Sequence, residues 1–153
     1  MQILHFRPSH IDAVIELMQE FDVYLQSLSS VKREDFDIEL QKVKLTKYGF
    51  WKDKSFSGYV VEVDNRIIGY ALYHYGFDPD ELQGKIIYLI DFFVSKKARG
   101  KWIGRALIEK LQSHEDSLGL YFWVWMKNAW AIEFYKKLGA DWIEDVPFMK
   151  LMK

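Results

Sequence analysis

The segment IIYLIDFFVS, followed at once by KKARGKWIGRA from Lys96 to Ala106, limits the fold of this chain more than any other. Its first half is aliphatic and aromatic and reads as a buried strand. The second half places Gly100 and Gly104 among the cations Lys97, Arg99, Lys101 and Arg105, where a helix should begin. A strand that turns through glycine into a helix leaves amide hydrogens unpaired and aimed outward, with about half a positive charge from the helix dipole. Such a corner suits a phosphate, and glycine lets the backbone approach it closely. The spacing is neither G-x-G-x-x-G nor G-x-x-x-x-G-K-S/T, so the dinucleotide fingerprint and the nucleotide P-loop both lack their residues.

At 153 residues the chain has the length of one domain, 1–153, long enough to bury a sizeable core. Lys and Arg number 21 against 22 Asp and Glu, a net charge of −1, so no global field draws the protein to nucleic acid or to a membrane surface. The lack of cysteine excludes disulfides, thiolate metal sites and a cysteine nucleophile, and it fits a reducing cytoplasm. MQILHFRPSH lacks the layout of a signal peptide, and the run LGLYFWVWM is far too short to cross a bilayer, so a soluble, cytoplasmic protein is expected. His5, His10, His74 and His114 show no metal-ligand spacing, and neither G-x-S-x-G nor H-E-x-x-H occurs. No metal is expected.

Along the chain, Gln2 to Arg7 reads as a strand stopped by Pro8. Ser9 reads as the cap of a helix whose apolar positions run from Ile11 to Leu25. A second helix is expected over Glu34–Leu45, then a loop, KYGFWKDKSFSG. Tyr59–Val63 and Arg66–Tyr75, joined by Asp64-Asn65, form a hairpin. Gly84–Val94 is a long fourth strand, Gly100–Leu118 a helix, Leu120–Met126 a strand and Asn128–Leu138 a helix that Gly139 ends. The tail forms a last strand or two around Pro147. This order predicts a single α/β domain.

The residues Arg99-Gly100-Lys101-Trp102-Ile103-Gly104 stand on the pattern Q/R-x-x-G-x-G/A, with Trp102 in place of the first glycine and Gly104 kept. YLIDFFV before it, and Asn128 to Ala140 after it in the pattern N-x-x-A-x-x-F-Y-x-x-x-G-A, complete a resemblance to the GNAT superfamily of acyl-CoA-dependent N-acyltransferases. The chain looks most like the diamine, spermidine and spermine acetyltransferase branch. The resemblance implies a mixed, mostly antiparallel central sheet flanked by helices on both faces, and acetyl-CoA as acyl donor. It implies that Phe92, Phe93 and Val94 pair through their backbone with the pantetheine arm. The amides from Arg99 through Gly100, Lys101, Trp102, Ile103 and Gly104 to Arg105 would then hold the pyrophosphate. Asn128 would meet the coenzyme arm, Ala131 would leave room for it, and Tyr135 would protonate the departing thiolate. Read by themselves, Asn128 is equally a helix cap, and Tyr135, in helical phase with Ile132 and Leu138, is first a core residue, a reading that its spacing from Asn128 reverses.

The polyamine branch carries a glutamate as proton acceptor where this chain has Ile90. A primary amine with pKa ~10.4 is only about 0.1% neutral near pH 7.4, which withholds roughly 4 kcal/mol from attack. Asp91 is the nearest carboxylate, and strand alternation sends it to the opposite face unless a bulge intervenes. Tyr88, His74 and Glu62 are further candidates. The expected activity is N-acetylation of a small-molecule primary amine, polyamine-like or amino-acid-like, by direct attack in a ternary complex. The branch implies a homodimer. Acetylation of a protein lysine or N-terminus, and a coenzyme-binding module without turnover, stand as alternatives.

Overall fold

The computed structural model describes residues 1–30, 32, 34–80, 82–143 and 151–152. The chain divides into two compact units, residues 1–123 and 124–153.

The first unit is a five-stranded sheet in the order β1-β2-β3-β4-β5. Its strands are β1 (Gln2–His5), β2 (Ser57–Val63), β3 (Arg66–Asp78), β4 (Gly84–Val94) and β5 (Leu120–Tyr121). The first three pairings are antiparallel and the last is parallel, which makes the sheet mixed and mostly antiparallel, as expected. Asp64 and Asn65, at φ 50 and 58, form the β2–β3 turn, since a two-residue hairpin loop needs left-handed central residues to match strand twist.

Helices α1 (Ile11–Leu28) and α2 (Ile38–Phe50) cover one face of the sheet. Val14, Ile15 and Leu17 of α1 and Leu45 of α2 pack with Val60, Tyr70, Leu72 and Phe93 of the strands. Each such side chain contributes about 1.5–3 kcal/mol on burial. The alternate strand residues, among them Tyr59 and Tyr73, face the other way. There helix α3 (Ile103–Gln112) buries Leu107, Ile108 and Leu111. His114, just beyond α3, bridges two strand tyrosines, with Nε2 3.1 Å from the Tyr59 hydroxyl and Nδ1 2.8 Å from that of Tyr75.

Several boundaries differ from the expected ones. Ser9 does not cap α1: Pro8–His10 is a 3-10 turn, and the Arg7 amide donates to His10 Nδ1 at 3.2 Å. The second helix begins later, where Asp37 accepts from the Leu40 amide at 2.9 Å, and it runs on through Phe50 into the expected loop. The third helix is shorter at both ends. Trp102 is left-handed (φ 62), so Gly100 and Lys101 belong to the turn, and no apolar residue between Leu111 and Leu118 is available to face the sheet. Leu120–Met126 shrinks to a two-residue ladder. The strand expected around Pro147 falls on residues 144–150, outside the described residues.

The second unit holds α4 (Ala129–Lys136). Asn128 caps it, Oδ1 accepting from the Ala131 amide at 3.1 Å. Gly139, at φ 89, ends it in the left-handed conformation that glycine adopts without strain.

Candidate active site

The site starts from an irregularity in β4. Leu72 pairs with Asp91, but the next residue of β3, Tyr73, pairs with Leu89. Ile90 is therefore an extra residue, 37% exposed, and the strand bulges around it. One inserted residue reverses the alternation, so Asp91 and Tyr88 share a face although they lie three apart in sequence. That is the face toward α1 and α2, and it carries Tyr70, Leu72 and His74 of β3. The bulge thus puts Asp91 on the face that plain alternation would have given to residue 90.

Asp91 Oδ2 accepts a 2.9 Å hydrogen bond from the hydroxyl of Tyr70, a wholly buried side chain. Burial pushes the Asp91 carboxyl up to about 6, and the hydrogen bonds from Tyr70 and the Phe92 amide hold it from rising further. Burial first, and then the neighbouring Asp91 charge, push Tyr70 well above the ordinary phenol range, so its hydroxyl stays protonated and keeps donating. His74 lies one residue pair along this face, its ring 5.1 Å from that of Tyr88 and its Nδ1 3.0 Å from the Tyr75 carbonyl. A hollow of about 290 Å³ opens beside His74 against the loop at Lys54–Ser57. Glu62 does not join the group. It sits opposite Ile67, roughly 16 Å along β3 from Leu72 at strand rise.

Phe92, Phe93 and Val94 pair with Ala71, Tyr70 and Gly69 on β3, and among the described residues β5 pairs with Ile87 and Tyr88. A strand edge binds an extended ligand as it would another strand.

The strand then runs into the turn before α3, which α1 ties down. Glu20 accepts from the Ser95 hydroxyl at 2.8 Å and from the Lys96 amide at 2.7 Å. Arg99 points inward: Nε donates to the Val94 carbonyl at 3.1 Å, and the guanidinium lies over the rings of Tyr24 and Phe93. It braces the turn, leaving Lys97 and Lys101 exposed as the positive fringe. Gly100 has φ 78, and a Cβ there would meet nothing within 4 Å, so glycine serves the backbone angle. Trp102 supplies no side-chain acceptor to the helix it caps, and the first amides of a helix, here those of Ile103 and Gly104, have no acceptor within the helix itself. That arrangement fits an anion.

In the second unit the same Asn128 oxygen that was a candidate coenzyme contact is engaged in capping α4 through Ala131. Tyr135 follows about two turns along the same side, its ring edge-on to Phe134 at 5.2 Å. Among the described residues no three His, Cys, Asp or Glu side chains converge as metal ligands would. Sequence reasoning missed Tyr70 and Glu20. A signal existed for Tyr70, because a buried tyrosine needs a partner for its hydroxyl and Asp91 is the lone acid of an apolar strand. Glu20 had none, since an acid on a helix usually faces water.

Residues 14–140 match the model of the acetyltransferase (GNAT) family, and the chain belongs to that family. The human spermidine/spermine N(1)-acetyltransferase-like protein 1 is 24% identical over 149 residues, covering 91% of this chain and 20% of the relative. The chain thus spans about a fifth of that relative's length. An uncharacterised N-acetyltransferase of Methanocaldococcus jannaschii is 29% identical over 119 residues, 75% of this chain and 70% of the relative. Two solved structures share the fold. A possible acetyltransferase from Clostridium difficile 630 has TM-score 0.78 at 15% identity, covering 99% of this chain and 98% of that one. The ribosomal-protein-alanine N-acetyltransferase of Brucella melitensis biovar Abortus 2308 has TM-score 0.73 at 16% identity, covering 99% and 100%.

Proposed function

We propose that the protein transfers an acetyl group from acetyl-CoA to a primary amine of a small molecule, polyamine-like or amino-acid-like, by direct attack in a ternary complex. The observation that carries this reading is the bulge at Ile90, which puts Asp91 on the face of the sheet where an amine can approach a thioester lying along β4. The family match crosses from the first unit into the second, which supports reading residues 1–153 as one working domain. The resemblance to a spermidine/spermine N(1)-acetyltransferase-like protein favours a polyamine-like acceptor over a protein substrate. In this reading the protein is a cytoplasmic homodimer, as the branch implies.

The pantetheine arm pairs with the backbone of β4 at Phe92, Phe93 and Val94. The pyrophosphate rests on the amides of residues 100–105, and the family resemblance assigns Asn128 and Ala131 to the arm. Asp91 takes a proton from the ammonium. With a pKa of about 6 it is a roughly hundredfold stronger base than an ordinary carboxylate, yet still mostly ionised at neutral pH. The freed amine lone pair attacks the thioester carbonyl carbon and forms the C–N bond. As the tetrahedral centre collapses, the C–S bond breaks and the sulfur takes the Tyr135 hydroxyl proton; the nitrogen gives up its second proton, which returns through solvent to the Tyr135 oxygen, and Asp91 releases its own to water, leaving the N-acetyl product and CoA. Positioned proton transfer of this kind is worth roughly 10²–10⁴-fold.

Thermal shift with acetyl-CoA, followed by thiol release across a panel of amines, tests the reading. A ligand at a hundredfold excess over its Kd adds about 2.7 kcal/mol, so binding is expected to raise the melting temperature, and thiol release is expected with polyamines. Binding without release from any amine would leave a coenzyme-binding module. Release only with a protein acceptor would assign a protein acetyltransferase.

A further inference from the structure

We propose that Trp102 is a stacking platform for the adenine ring of the coenzyme, a role that rests on acetyl-CoA being the donor. The residue is out of place by every structural criterion. It holds a left-handed backbone, φ 62 and ψ 2, where bulky side chains are strained and glycine is at ease. It stands at the helix cap position, where Ser, Asp, Asn or Gly would serve better, and it makes no capping hydrogen bond. Its indole is 74% exposed, so it packs no core. The fold gains no buried packing from tryptophan here, and strain held at such a point is an indication of function.

The donor reading places the occupant. With pantetheine read along β4 and the pyrophosphate on the first-turn amides, the adenosine at the other end of the pyrophosphate is the part of the coenzyme left to reach the start of α3, where Trp102 stands. The guanidinium of Arg105, one turn along the helix, lies 5.6 Å from the indole centroid, while most of the indole surface remains uncovered. A purine stacks on such a ring through the same π-face contacts that hold bases on aromatic side chains in single-stranded nucleic-acid sites. Lys101 and Arg105 flank the position with positive charge for the ribose 3′-phosphate.

Calorimetric titration of wild type, W102A, W102F and W102G with acetyl-CoA and with S-acetyl-4′-phosphopantetheine, which lacks adenosine, tests this. Base stacking on an aromatic ring corresponds to about a 5- to 150-fold change in affinity. W102A is expected to lose acetyl-CoA affinity in that range, and W102F less. Both variants are expected to bind S-acetyl-4′-phosphopantetheine as wild type does. W102G is expected to melt at a higher temperature than wild type, because the left-handed strain is relieved, while binding acetyl-CoA more weakly. A merely structural tryptophan would instead give a lower melting temperature on replacement. Equal losses on the two ligands, or unchanged acetyl-CoA affinity in W102A, overturn the proposal with the donor assignment intact. Failure of wild type to bind acetyl-CoA removes the donor assignment itself, and the adenine role with it.

Discussion

Replacing Asp91 by asparagine removes a partly buried charge while leaving an oxygen for the Tyr70 hydroxyl, and the consequence for stability follows from the Asp91 pKa. The carboxyl titrates at about 6 in the folded protein against 3.8 ordinarily, and each pKa unit is about 1.4 kcal/mol. The ionised group therefore costs the fold about 3 kcal/mol relative to its protonated form. Below pH 3.8 both folded and unfolded chains hold the proton, and the cost is absent. Between pH 3.8 and about 6 the folded chain keeps a proton that the unfolded chain has released, so stability falls as pH rises. Above about 6 both are ionised and the loss is complete. Asparagine imitates the protonated acid at every pH, but its amide brings N–H donors that the acid lacks. Leaving those short of acceptors takes back part of the gain, and a net stabilisation of about 1–2 kcal/mol at pH 7.5 is expected. Urea unfolding of both proteins from pH 4 to 8 reads it. The stability difference should favour the variant progressively through pH 4–6 and then level off. A variant less stable than wild type at pH 7.5, or a difference independent of pH, would refute the claim that Asp91 is a destabilised, functionally placed base.

Three further outcomes are expected. Gly104→Val, in the first turn of α3, should weaken acetyl-CoA binding at least tenfold by titration, because the added side chain holds the phosphate off the amides. Tyr135→Phe should lower kcat by about 10²-fold while coenzyme affinity stays near wild type, since only the proton donor is lost; a fall below threefold would make Tyr135 a packing residue. Glu20→Ala frees the Ser95 hydroxyl and the Lys96 amide and should raise KM for acetyl-CoA with little change in kcat, the signature of a positioning role. Equal falls in kcat and kcat/KM would contradict it.

How much of this was legible in the sequence depends on how local the deciding interactions are. The Asp64-Asn65 turn, the Asn128 cap and the Gly139 stop are each fixed by one or two residues with distinct backbone preferences, and each appears where it was expected, whereas the helix after β4 starts three residues later than Gly100 because Trp102 takes the left-handed turn. The second helix was displaced because the Asp37 cap, which sets its start, competes with several other acids nearby. The aromatic run YFWVWM is a good strand by composition throughout, and nothing in it marks where pairing with β4 stops, because that depends on the neighbouring strand. The bulge at Ile90 was legible only as a question. A single hydrophobic residue carries no sign that it is the inserted one, and the answer needed the register between β3 and β4. Trp102 was visible as a departure from a glycine position, and its left-handed backbone supplies the physical reason that glycine suits that position.

The most direct test of the account is the pH dependence of thiol release from acetyl-CoA with a polyamine, measured as kcat/KM for wild type and D91N. Wild-type turnover is expected to show an ascending limb at an apparent pKa near 6, set by Asp91, and the D91N rate to be reduced at least tenfold and to have lost that limb. The same limb in D91N, or an unchanged rate, would show that Asp91 takes no proton and that the bulge does not form the catalytic centre.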